Sequence, residues 1–198
     1  HADIYNKLEG VEIAGIYGRT PEKLNNIKKE LKVNVTTNID KLIIDPNIDL
    51  IDVCLPTSIH KKYVVKSIKN NKDVFCETPV CYTLQEAEEM KQCAEKYNKK
   101  LFVDLFFKFS DPHRIAIEKV KSNSLGKPKV VKAYQKTAPY WGDKDLEDII
   151  HNFMLHNFDF ITEIIGLPTE VMANGFQNNN SYVFSNLKYR NGMASVES

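Results

Sequence analysis

The sequence contains no G-x-G-x-x-G, no C-x-x-C, no H-E-x-x-H and no apolar run near the ~20 residues that span a bilayer. The last absence excludes a membrane-spanning helix. The opening residues do not form a charged-then-apolar leader either, so a cytoplasmic location with no membrane partner is expected. The four cysteines, Cys54, Cys76, Cys81 and Cys93, lack the density of a secreted disulfide scaffold. Cys54 and Cys76 fall in strands expected to be buried, where a reduced thiol behaves as a small apolar residue. His151 and His156 are five apart and match no metal-ligand spacing, so no metal is expected. Lys plus Arg number 27 against 26 for Asp plus Glu, with the basic residues scattered rather than clustered. Nucleic acid is therefore not an expected partner.

What is present is enough for a sizeable core: 198 residues, 42% of them hydrophobic. The apolar run Val11–Tyr17 precedes Thr20-Pro21-Glu22, where threonine can cap a helix that proline begins. Further strands are expected near Val33–Val35, at Leu50–Leu55, Val74–Cys76 and Leu101–Val103. Helices are expected around Ile39–Ile44, His60–Asn70 and Leu84–Tyr97. This alternation predicts a doubly wound parallel α/β sheet over residues 1–103.

Beyond Asp104 the rhythm changes. A helix over Pro112–Ser122, a Gly126-Lys127-Pro128 turn and a strand Lys129–Lys136 open a second domain, residues 104–198. The apolar helix Asp148–Ile165 ends at Gly166 and Pro168, and Val171–Phe176, Tyr182–Tyr189 and Ala194–Glu197 alternate as strands. An α+β domain with a largely antiparallel sheet is expected. Gln177–Asn180 reads as a polar loop of low complexity.

Val74–Val80 carries the most chemistry, because an apolar strand runs into Glu77-Thr78-Pro79 just before a helix. Ligands of doubly wound folds bind beyond the carboxyl ends of the strands, so this stretch reads as the rim of an active site. Together with Pro56-Thr57-Ser58-Ile59-His60, and Asn152 and His156 on the later helix, it resembles the Gfo/Idh/MocA family of NAD(P)-dependent oxidoreductases. The family usually carries Glu-Lys-Pro where this chain has Glu77-Thr78-Pro79, and Asp where it has Asn152.

The resemblance implies a Rossmann-like nucleotide-binding domain followed by a substrate and oligomerisation domain. It implies hydride transfer between NADP or NAD and a sugar-like or cyclic polyol substrate, in a homo-oligomer, either dimer or tetramer. His156 is the acid/base candidate, since histidine titrates near neutral pH, and Asn152 and Asp159 share its helical face. The alternative is a core histidine beside Phe153, Phe158 and Phe160. Thr78 can orient a substrate but does not titrate near neutral pH; Thr78-Pro79 can also be a simple turn. Pro56, Thr57, His60, Glu77 and Pro79 are implied at the cofactor, while Thr57 or Ser58 can also cap a helix. Lys108, with Asp159, is implied at the substrate, or is a surface lysine. Gly18-Arg19-Thr20 lacks the acid that holds the adenosine ribose, so Arg19 and Thr20 are candidates for a 2′-phosphate.

A catalytically silent nucleotide-binding regulator or scaffold is the alternative from another class, suggested by Thr78 and Asn152. A lyase or hydrolase using transient redox chemistry is a third. The missing glycine turn leads to the expectation that a first strand and turn of about 20 residues precede His1. A gap is then expected between the Val11–Tyr17 and Leu50–Leu55 strands. The sheet at Val183–Glu197 is likewise expected to continue.

Overall fold

Apolar residues in the first half switch repeatedly between a period of two and a period near 3.6, and the backbone follows them. The computed structural model describes residues 1–136, 142, 144–178 and 181–198; Asn179 and Asn180 of the expected polar loop lie outside these. The chain divides into two compact units, His1–Val103 and Asp104–Ser198.

In order, the first unit holds α1 (Ala2–Tyr5), β1 (Ile16–Tyr17), α2 (Pro21–Leu31), β2 (Val35–Thr36), α3 (Ile39–Ile43) and β3 (Leu50–Val53). It continues with α4 (His60–Lys69), β4 (Asp73–Cys76), α5 (Leu84–Lys96) and β5 (Leu101–Val103). β1 and β2 form one parallel pair, and β3, β4 and β5 form a second parallel sheet in that order. Among the described residues β1 pairs with no strand of the second sheet, so the break falls where a gap is expected.

Two expected strands are shorter than their apolar runs. Only Ile16 and Tyr17 of Val11–Tyr17 are paired, because β2 offers just Val35 and Thr36 as partners. The Leu50–Leu55 strand ends at Val53, opposite the last residue of β4, Cys76. Cys54 is consequently exposed, correcting its expected burial, whereas Cys76 is buried.

α4 buries His60, Val64, Ser67 and Ile68, one face at helical spacing. It packs with Met90 and Ala94 of α5 against Val53, Val74 and Cys76 of the sheet. Thr83 caps α5 by accepting from the Glu86 amide at 3.2 Å, the threonine-to-glutamate spacing of a capping box. The buried Lys72 ammonium donates to the carbonyls of Asp45 and Ile48, satisfying a turn that leaves the sheet.

The second unit holds a 3₁₀ turn (Phe106–Lys108), α6 (Asp111–Lys121), β6 (Val130–Tyr134), α7 (Leu146–Asp148), a π-helix (Ile149–Met154) and α8 (Leu155–Ile165). Then come β7 (Glu170–Phe176), β8 (Tyr182–Tyr189) and β9 (Gly192–Glu197). The sheet order is β6-β9-β8-β7, with β6 parallel to β9 and the other two pairs antiparallel.

The helix expected as one piece from Asp148 is interrupted by the π-helix. Ile149, Phe153 and Met154 are all buried, a spacing of four and five that suits i to i+5 bonding. They meet Val183, Leu187 and Tyr189 of β8, whose inward residues alternate along the strand, and Ala194 and Val196 of β9. No helix among the described residues is long and apolar enough to cross a membrane.

Ile68 is fully buried and Leu84 is 76% exposed. Ile68→Ala is expected to lower unfolding stability by about 2–5 kcal/mol, and Leu84→Ala by no more than about 0.5 kcal/mol. Urea titration followed by circular dichroism measures both.

Candidate functional site

In the first unit the candidate residues gather where β3 and β4 end. After β3 the chain turns at Pro56 into a 3₁₀ turn, Thr57–Ile59, closed by the Ile59 amide donating to the Pro56 carbonyl at 3.0 Å. Neither Thr57 nor Ser58 makes a side-chain cap here, and Thr20 makes none at the start of α2, so those capping expectations are corrected.

His60 begins α4 and is 1% exposed. Its Nδ1 lies 3.0 Å from the Pro79 carbonyl and its Nε2 2.5 Å from the Leu55 carbonyl. The ring therefore joins the loop after β3 to the loop after β4. Both ring nitrogens lie against carbonyls of these loops, so the residue positions them.

Glu77 follows β4, its amide donating to the Val53 carbonyl at 3.1 Å. Its Oε2 accepts from the Thr78 amide at 2.9 Å, and Oε1 lies 3.1 Å from His1 Nε2. The Thr78–Pro79 peptide is cis, and Pro79 is buried.

Three residues join this end of the sheet that the sequence reading did not select. His1 Nδ1 is 2.7 Å from Asp52 Oδ2 and 3.4 Å from Cys54 Sγ, while the Cys54 thiol donates to Asp52 Oδ1 at 3.4 Å. The available signal was an acid, Asp52, inside the apolar run Leu50-Ile51-Asp52-Val53. Burial pushes the Asp52 carboxyl above its ordinary value, against hydrogen bonds from Tyr5 and Cys54 that lower it. Partial burial of the sulfur, then the neighbouring Asp52 and Glu77 charges, push the Cys54 thiol up to about 12.

At the end of β1, Gly18 donates to the Thr36 carbonyl at 3.1 Å and lies so close to Leu24 that a Cβ would sit 2.9 Å from its Cδ2. Arg19 and Thr20 follow, both exposed. Beside them a cavity of about 240 Å³ is lined by Tyr17, Thr37, Asn38, Asp40, Lys62 and Lys66 among others. A larger one of about 470 Å³ lies between α5 and β5, lined by apolar residues such as Met90, Ala94 and Leu101 together with Lys91, Glu95 and Lys99. Val80, which follows the candidate Thr78-Pro79, also lines it.

In the second unit His156 is 5% exposed and packed against aromatic rings. Phe106 and Phe107 of the 3₁₀ turn lie 4.3 and 5.3 Å from it between ring centroids. Phe107 also stacks on His113 at 4.0 Å, so one phenyl ring contacts two imidazoles. The two contacts with His156 cross about fifty positions of sequence and left no short-range signal.

Asn152 lies in the π-helix, and its amide donates to the Asp148 carbonyl at 3.1 Å and to Asp148 Oδ1 at 3.2 Å. Lys108 Nζ lies 3.3 Å from Asp159 Oδ1 and 3.5 Å from Glu163 Oε2, with 38% of its side chain exposed. Lys121 also reaches Glu163 at 2.5 Å. The hydrogen bond from Lys121 and the two ammonium charges hold the Glu163 carboxyl below its usual range. Lys108 and Asp159 are thus brought together as a pair.

Residues 1–105 match the oxidoreductase family with an NAD-binding Rossmann fold. The chain is 28% identical over 180 residues to myo-inositol 2-dehydrogenase of Thermotoga maritima, covering 88% of this chain and 54% of that protein. It is 24% identical over 185 residues to glucose-6-phosphate 3-dehydrogenase of Bacillus subtilis, covering 83% and 52%. The chain thus spans about half the length of these curated relatives. The fold superposes on the crystal structure of myo-inositol 2-dehydrogenase from Lactobacillus plantarum with a TM-score of 0.87 and 22% identity, covering all of this chain and 65% of that one.

The thiolate is the nucleophile in alkylation, so a thiol near 12 stays almost wholly protonated through the neutral range. Alkylation of Cys54 by iodoacetamide, read by peptide mass spectrometry, is expected to keep rising about tenfold per pH unit beyond pH ~9, where an ordinary cysteine levels off. A plateau near pH ~9 would show an unperturbed thiol.

Proposed function

The chain belongs to the Gfo/Idh/MocA family of NAD-binding oxidoreductases, and we propose that the whole protein transfers a hydride between NADP or NAD and a sugar-like or cyclic polyol substrate, with His156 moving the hydroxyl proton. The observation that carries this reading is the match to myo-inositol 2-dehydrogenase over 88% of the chain, which takes in residues of both units. Inositol and glucose 6-phosphate, named in the two relatives, are both ring compounds with secondary hydroxyls.

The first unit is assigned the cofactor. Pro56, Thr57, Glu77 and Pro79 lie beyond the carboxyl ends of parallel strands, where such sheets bind ligands. His60 holds the two loops from beneath. Arg19 and Thr20 are exposed past Gly18, and Lys62 lines the neighbouring cavity, so this end of the sheet fits a nucleotide bearing a 2′-phosphate. The bound nicotinamide supplies the hydride acceptor for oxidation and the donor for reduction.

The second unit is assigned the substrate. His156 takes the hydroxyl proton as the carbon is oxidised and returns it in the reverse direction, with Phe106 and Phe107 restricting how its ring turns. Lys108 donates toward substrate oxygens from its place beside Asp159, and Asn152 supports the helix that carries His156. Thr78, standing where the family carries lysine, orients substrate without titrating.

A nucleotide-binding regulator of the same fold is a second reading, favoured by Thr78 and by the 5% exposure of His156. A homo-oligomer accompanies either reading. Support comes from β7, all of whose residues are exposed, Val171, Met172 and Phe176 among them.

Calorimetry on the whole protein is expected to show tighter binding of NADP than of NAD, with Arg19→Asp reversing the preference; equal affinities in the wild type would count against the 2′-phosphate assignment. In single-turnover absorbance measurements over a panel of sugars and polyols, His156→Ala should lower the rate by ~10²-fold or more at nearly constant cofactor affinity. Thr78→Ala should cost far less. Cofactor binding with silence on the whole panel would favour the regulator.

A further inference from the structure

We propose that His1, Asp52 and Cys54 form a site for a divalent cation of the zinc class, which pins the start of α1 to the carboxyl end of β3. The three donor atoms, His1 Nδ1, an Asp52 carboxylate oxygen and Cys54 Sγ, lie within 4.8 Å of one another. The separations are 2.7 Å from Nδ1 to Oδ2, 3.4 Å from Nδ1 to Sγ and 3.4 Å from Sγ to Oδ1. A tetrahedral zinc ion with ordinary bond lengths sets its donors about 3.3–3.6 Å apart. Both separations that involve the sulfur already have that length, while the Asp52 carboxylate faces Cys54 through Oδ1 and His1 through Oδ2, so one of its oxygens turns toward the shared ion.

An independent feature of the same imidazole supports the assignment. A histidine that binds a metal through one nitrogen usually gives its other N–H to a carboxylate, which fixes the tautomer and aims the lone pair. His1 Nε2 lies 3.1 Å from Glu77 Oε1, on the side of the ring away from Asp52 and Cys54. Phe75 packs edge-on against the ring with centroids 5.7 Å apart, restricting its rotation. The tautomer that faces Glu77 with N–H is the one that presents a lone pair on Nδ1 to the other two donors.

The chemistry of the set selects the ion. An imidazole, a carboxylate and a thiolate suit zinc and similar borderline ions, not magnesium or calcium, which take oxygen donors. Two carboxylates converge on one imidazole here, an excess of negative charge that a dication offsets. On binding, the Cys54 S–H bond breaks, its proton goes to solvent and a sulfur–metal bond forms; no electron changes hands. Three protein ligands leave the fourth position to water.

Cobalt(II) is the probe, because a thiolate ligand gives it an intense near-ultraviolet charge-transfer band and tetrahedral geometry gives it strong visible bands. Titration of the reduced protein in the absence of nicotinamide should produce both, and an equimolar amount of zinc should erase them. Cys54→Ser should abolish the charge-transfer band, and Asp52→Asn should weaken binding at least tenfold, with circular dichroism confirming that each variant folds. Glu77→Gln should keep the band and weaken the affinity by about 10–100-fold. Absence of the band in the wild type, or its survival in Cys54→Ser through another cysteine, would overturn the proposal.

Discussion

The placement of the loops after β3 and β4 depends on one buried imidazole. Where a parallel sheet ends, its strands lose their ladder partners, and the carbonyls that follow need new donors if they are buried. The His60 ring lies within hydrogen-bonding distance of both the Leu55 and the Pro79 carbonyls, and thereby sets the distance between the turn carrying Pro56 and Thr57 and the turn carrying Glu77 and Thr78. The ring can do so because its backbone is already fixed. Val64 and Ile68, one and two turns further along α4, are fully buried against the strands those loops leave. Packing in the sheet core thus sets the geometry at its rim.

Elements whose residues alternate or repeat over a sufficient length were legible in the sequence. Leu101–Val103 and Tyr182–Tyr189 are strands with the expected bounds, and α4, α5 and α6 begin and end within a residue of theirs. The misses share one physical cause. Apolar character marks a stretch as able to pair or to be buried, but the number of residues that pair is decided by a distant partner. Val11–Tyr17 yields two paired residues because β2 is two residues long, and Cys54 is exposed because β4 stops opposite Val53. The π-helix escaped for a related reason: only the three-dimensional demand to bury both Phe153 and Met154 distinguishes it from a regular helix.

The candidate site divides along the same line. Residues in contiguous motifs, such as Glu77-Thr78-Pro79 and Pro56-Thr57, were legible because turn chemistry is local. Partners brought from afar were not: Phe106 and Phe107 reach His156 across about fifty positions, and His1 reaches Asp52 across 51. The charges follow suit. Exposed pairs such as Lys188–Glu170 stabilise by no more than about 1 kcal/mol, since water screens them. Groups partly shielded from water at the end of β3 respond more strongly: desolvation raises the Asp52 carboxyl and, although Cys54 is exposed as a residue, its sulfur as well.

Thr78 and Asn152, at positions where the resemblance leads one to expect lysine and aspartate, bear on how an acid/base histidine would be held. A carboxylate near the ring orients it by charge and also favours its protonated form. Asn152 carries no charge, and its amide is committed to Asp148 one turn back along its own helix. Aromatic faces can replace the orienting part of that role, because rings packed at 4.3 and 5.3 Å leave few rotamers open to the imidazole. They do not replace the electrostatic part. With Thr78 in place of lysine there is also no ammonium from that position to draw off the developing alkoxide charge. On the proposed reading Lys108 of the second unit carries that charge, and it is already shared between Asp159 and Glu163. On that reading the proton chemistry rests on His156, and Phe106 and Phe107, packed against its ring, hold it in place.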